Sequence, residues 1–157
     1  MNAALEARSK LIRTEREKVE LWREVSNAWR QISRQGEKNI SRLGICTTEF
    51  KILRILKEEG QTPMARLSDV TVLTQPAITS FVDKLENQGL VRRDRDHEDR
   101  RVIRISITRK GRSLFRRGLR IHSRFVSGLL SGLNDAELSR FSSIMKKLSS
   151  VEVPSVR

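Results

Sequence analysis

Residues 67–91 read LSDVTVLTQPAITSFVDKLENQGLV, and this stretch decides the fold. Two short helices meet in it through Thr71-Val72-Leu73. Ahead of the first, Thr62 offers a capping hydroxyl and Pro63 a first helical residue, with Met64, Leu67 and Val70 on one face. Thr74 is read as the cap of the second helix, with Gln75 and Pro76 in its first turn. Ile78, Phe81 or Val82, and Leu85 form its apolar stripe, and Gly89 ends it. The N-terminal end of this helix presents Thr74, Gln75, Pro76, Ala77, Thr79 and Ser80, all compact or polar. A helix entering a DNA major groove needs such a surface, because bulk there holds the backbone off the base edges. Gln75 suits adenine, Pro76 and Ala77 suit thymine methyls, and Thr79 and Ser80 suit bases or phosphates. The helix N-terminus itself favours a phosphate. The plainer alternative is a solvated helix face.

Downstream the pattern turns to β-structure. Leu90-Val91 opens a short strand, and Val102, Ile103, Ile105 and Ile107 form a β-branched run interleaved with Arg104 and Ser106. Residues 92–101, RRDRDHEDRR, are wholly polar and predict a hairpin with a long charged tip. Alone, such a run is better read as a soluble loop. Directly after a candidate recognition helix, an Arg at a ribbon tip can enter a narrow minor groove, where the negative potential is strongest. Asp99 is then an orienter that accepts hydrogen bonds from Arg100 or Arg101 and fixes the turn. Lys84 and Arg95 complete the candidate contact set.

Outside this unit the chain reads as helical. Residues 1–18 are highly charged, helical or frayed. Val19, Trp22, Val25, Trp29 and Ile32 then form an amphipathic stripe that packs either inside the monomer or against a second subunit. Thr47 or Thr48 is expected to cap the helix carrying Phe50, Ile52, Leu53, Ile55 and Leu56, which Gly60 stops. Thr108 caps a long helix with Leu114, Phe115, Ile121, Phe125, Leu129 and Leu133. Asn134 and Glu137 make a capping box for the last helix, which shows Leu138, Phe141, Ile144, Met145 and Leu148, and Pro154 closes the tail. The fold class is therefore mainly α with a small β-hairpin: a winged helix-turn-helix core between terminal helices. Those helices cannot all cover one small core, which suggests a dimer.

The chain has 157 residues and a net charge of +13, from 32 Lys+Arg against 19 Asp+Glu, an excess that this reading spreads along the chain. Such a domain suits a polyanion, nucleic acid ahead of an anionic membrane surface. Five Phe, two Trp and no Tyr give few rings for stacking unpaired bases, so duplex DNA is favoured over single strands. The apolar runs are too short for a transmembrane helix, and no secretory signal is read at the N-terminus. The single cysteine, Cys46, cannot form an internal disulfide, which points to a reducing, cytoplasmic location. There is no phosphate-binding glycine loop and no zinc spacing, and His97 and His122 have no cysteine nearby in sequence. No catalysis, cofactor or metal is expected.

The stretch 67–91, the hairpin 92–101 and the exit Ile105-Ser106-Ile107-Thr108-Arg109-Lys110-Gly111 resemble, in order and spacing, the helix-turn-helix, wing and exit of the MarR family. The resemblance implies a homodimeric transcription regulator, a repressor or autoregulator, with terminal helices at the dimer interface and paired recognition helices on a pseudopalindromic operator. It places the wing's Asp-x-Arg pair on Asp99 and Arg101, with Arg101 in the minor groove and Arg100 on phosphate or sugar. Residues 1–45 and 111–157 would serve dimerisation, and 46–110 the winged unit. Arg109, Lys110, Arg112, Arg116 and Arg117 would add phosphate contacts. Val72 stands where the family's turn often carries Gly, so no left-handed residue is expected there; Pro76 and Ala77 replace more polar residues. Many members bind small phenolic or anionic effectors. Here Trp22, Arg23, Trp29 and Arg30 are the candidate lining, though packing suits the two Trp better. Cys46 is read as a spectator thiol rather than a redox sensor. Two other classes are a chromatin-type DNA-coating protein of low specificity and a module whose basic surface meets an acidic protein.

Overall fold

A computed structural model describes residues 14–96 and 98–152. The charged segment 1–13, His97 and Pro154, named above, lie outside the described residues. Helix α1 (Glu15–Ser41) starts at a capping box in which Thr14 Oγ1 accepts from the Glu17 N–H and Glu17 Oε2 accepts from the Thr14 N–H. Helix α2 (Thr47–Glu58) is capped by Cys46 rather than by either threonine. Its Sγ accepts from the Glu49 N–H at 3.4 Å, and its own N–H donates to Glu49 Oε2 at 2.7 Å. The reciprocal Glu49 bond places the cap one residue earlier than the hydroxyl preference suggested.

A two-residue strand, β1 (Thr62–Pro63), comes next, where the sequence reading placed a helix start. Thr62 is buried and its hydroxyl donates to Gly60 O, so it caps nothing; Pro63 itself is the N-cap of α3 (Met64–Thr71). Helix α4 (Gln75–Asn87) follows, then β2 (Val91–Arg95) and β3 (Ile103–Ile107). The hairpin is thus the larger part of a three-stranded antiparallel sheet of order β1-β3-β2, with Thr62 opposite Ile105 and Val91 opposite Ile107. Arg92 to Arg95 lie in β2, which shortens the expected tip. Helices α5 (Arg109–Leu130) and α6 (Asp135–Ser149) begin at the expected caps, Thr108 and Asn134.

The core runs from Ile40 through Ile52, Leu53, Leu56, Leu67, Ile78, Val82, Leu85, Leu90 and Ile105 to Phe115. It therefore joins the end of α1 and the start of α5 to the winged unit. Two glycines permit that approach. A Cβ at Gly111 would collide with the Leu90 carbonyl oxygen, and one at Gly118 with the Phe50 ring. By contrast, α6 buries no residue, and Trp22 and Trp29 on α1 are 64% and 68% exposed in one protomer. The α1 tryptophan stripe therefore does not pack inside the monomer.

Candidate nucleic-acid interface

Between α3 and α4 the chain turns at Val72, which adopts φ 59 and ψ 40. The expectation of no left-handed residue fails here. Leu73 N–H bonds back to Ser68 O and Val72 N–H to Asp69 O, while Leu67 is buried ahead of the turn and Leu73 packs against the core after it. Those anchors outweigh the strain of a β-branched residue at positive φ. Val72 itself is 88% exposed.

Helix α4 then presents Thr74, Gln75, Pro76, Thr79, Ser80 and Lys84 to solvent, with Ala77 half-buried and Ile78, Val82 and Leu85 turned into the core. Thr74 occupies the cap position but makes no side-chain capping bond. Its hydroxyl and the first-turn N–H groups are left for a ligand. The Thr79 hydroxyl donates to Gln75 O at 2.9 Å, so it meets a ligand as an acceptor or through its methyl. Lys84 lies 5.8 Å over the Phe81 ring.

The wing is fastened to this helix by a group that sequence reasoning missed. The period-two alternation of β2 puts Arg93 on the same face as buried Val91. Its guanidinium pairs with Asp83 Oδ1 at 2.6 Å and Glu86 Oε2 at 2.8 Å, both on α4. Its backbone N–H also donates to Glu86 Oε1 at 3.0 Å. The signal was present: Asp83 and Glu86 stand three apart on one helix face, and Arg93 stands two beyond the last buried strand residue. Reading the whole run as a tip concealed it.

Asp96 organises the tip. Its Oδ1 accepts from the N–H groups of Glu98 and Asp99, and its Oδ2 from Arg104 Nε. The Arg104 hydrogen bond, then those N–H groups, hold its carboxyl down to about 2 from an ordinary 3.8. Asp99 accepts from the backbone N–H of Arg101 at 2.9 Å. The guanidinium groups of Arg95, Arg100 and Arg101 are exposed and make no ion pair among the described residues. Arg92 is engaged with Asp94 and Ser106. Thr108 and Lys110 stitch the start of α5 to the end of α4, through Gly89 O and Gln88 O. Lys110 is therefore held by the fold, whereas the side chains of Arg109, Arg112, Arg116 and Arg117 make no ion pair among the described residues.

A family model for the MarR family matches residues 45–103. The HTH-type transcriptional regulator MhqR of Bacillus subtilis (strain 168) is 32% identical over 124 residues, 79% of this chain and 86% of that protein. The chain belongs to the MarR family. It is a transcriptional regulator and not an enzyme. Among solved structures, BldR from Sulfolobus solfataricus is similar at 32% identity and a TM-score of 0.70, covering 86% of this chain and 96% of that one. A MarR family protein from Bacillus stearothermophilus is similar at 27% identity and a TM-score of 0.75, with 87% and 95% covered. No helix among the described residues is long and apolar enough to cross a membrane.

Proposed function

We propose that this regulator acts as a homodimer in the cytoplasm, laying α4 in the major groove of each half of a pseudopalindromic operator and the tip of the β2–β3 wing in the adjacent minor groove. The observation that carries the reading is the pairing of two surfaces. One is the exposed, small-residue first turn of α4; the other is a wing whose outermost arginines make no ion pair among the described residues, locked to the same helix by Arg93. In this reading Gln75, Pro76, Ala77, Thr79 and Ser80 meet base edges and Thr74 and Lys84 meet phosphate. Arg101 enters the minor groove with Asp99 fixing its backbone, and Arg95 and Arg100 flank it.

Dimerisation through residues 1–45 and 111–157 is part of this reading, supported by the exposed Trp22, Trp29, Phe141, Ile144 and Leu148. Trp22 and Trp29, open in one protomer, suit a subunit contact better than a closed effector cleft. A small-molecule effector remains part of the family reading, as does repression by occlusion of a promoter.

The test is in vitro selection of duplexes followed by footprinting, then Arg101→Ala on the selected site. The variant is expected to lose about 1–3 kcal/mol of affinity and the minor-groove footprint. Equal binding by the variant and wild type would remove the wing from the mechanism. Equal affinity of the wild type for selected and random duplex would favour a DNA-coating role instead.

A further inference from the structure

The positive charge is not spread evenly. Between Arg100 and Asn134 the chain carries ten Lys and Arg residues and no Asp or Glu, leaving 22 against 19 elsewhere. Most of these cations lie on α5. Arg109, Arg112, Arg116, Arg117, Arg120 and Arg124 are all exposed, and none makes an ion pair among the described residues. At 100° per residue they occupy the face opposite Phe115, Gly118 and Phe125, which face Phe50 and α1. From Arg109 to Arg124 the stripe is about 22 Å long. Its start is separated from the wing tip by the length of β3, about 17 Å.

We infer that the outward face of α5 is a second binding surface for duplex DNA, engaging the phosphate backbone of a separate duplex from the one held by α4 and the wing. The inference rests on the DNA-binding reading above for the first duplex. Three features select this partner. Guanidinium groups, six of them on this face, match phosphate oxygens in fork geometry. The helix is unscreened by any acid of its own, and a second copy of the same face would repel it. The apolar side of α5 is packed on the protein around Phe115 and Gly118, and its two exposed leucines, Leu119 and Leu129, are too little apolar surface to lay into a bilayer.

The experiment uses the full chain bound to an immobilised duplex obtained by in vitro selection. It measures capture of a short, fluorescent, random-sequence duplex at low salt. Wild type is expected to capture it, and an Arg120→Gln/Arg124→Gln variant to lose at least tenfold of that capture while holding the immobilised duplex as before. The salt dependence of capture should lose about two units of log–log slope in the variant. Undiminished capture by the variant, or no capture by wild type, overturns the inference. So does an equal loss at both duplexes, a changed oligomeric state on sedimentation, or binding to phosphatidylserine vesicles in place of DNA. If wild type holds no immobilised duplex, the function reading fails instead. Direct anisotropy on random duplex then decides the stripe, an unaltered slope overturning it.

Discussion

Replacing Arg93 with Met removes the cation that ties the wing to the recognition helix while retaining most of its apolar stem. In the structure that cation makes two charge-assisted contacts, 2.6 Å to Asp83 and 2.8 Å to Glu86. The Arg93 side chain is only 25% exposed, but its partners are 49% and 36% exposed, so solvent screens a good part of the attraction. An exposed pair is worth about 0.2–1 kcal/mol and a hydrogen bond to a charged group about 1.5–3. Discounted for exposure, the clamp contributes about 1–2 kcal/mol, including the repulsion left between two carboxylates one turn apart. For a chain of this length that is a loss of roughly 3–6 °C in Tm. Urea unfolding of Arg93→Met, Asp83→Asn/Glu86→Gln and the combined variant forms a cycle that isolates the coupling. The combined variant should be no less stable than Arg93→Met alone. Additivity of the two changes within about 0.3 kcal/mol would refute the clamp. On DNA, the Arg93→Met wing footprint should weaken before the α4 footprint does, because the strand keeps its ladder but loses its angle to the helix.

Val72→Gly should stabilise the protein by about 1 kcal/mol, since relief of a left-handed β-branched residue exceeds the added freedom of glycine when unfolded; an unchanged or lower Tm would contradict the strain. The Asp96 carboxyl is held at about 2, so its contribution to wing order is complete above about pH 3.8 and is lost as pH falls toward 2. The amide resonances of Glu98 and Asp99 should titrate with a midpoint near 2 in NMR spectra, and a midpoint at the ordinary carboxylate value would show that the Arg104 contact does not hold. Trp29→Glu or Leu148→Glu should shift sedimentation toward monomer at micromolar protein, and an unchanged dimer in both would place those stripes elsewhere.

Much of the fold was legible because its signals are local. The stripe Ile78, Val82, Leu85, the alternation of Ile105 and Ile107, and the caps at Thr108 and Asn134 each depend on residues within a turn or two. The candidate groove-facing residues of α4 could be named for the same reason: once three and four residue spacing fixes the buried side, the exposed side follows. The cap at Cys46 was misread because a thiol is a weak acceptor, and only Glu49 folding back made it the cap. Strand β1 was missed because two residues cannot show a period.

The sequence by itself therefore determined the order of helices, the hairpin, the basic character and the family. Tertiary structure alone decided that Thr62-Pro63 joins the sheet, that Val72 turns left-handed, and that Arg93 belongs to Asp83 and Glu86 while Arg101 makes no ion pair among the described residues. The physical reason is range. Helix and strand periodicity are carried by neighbours in the chain, whereas the partner of a charge, or the anchors that hold a strained turn, come from residues brought together only when the core closes.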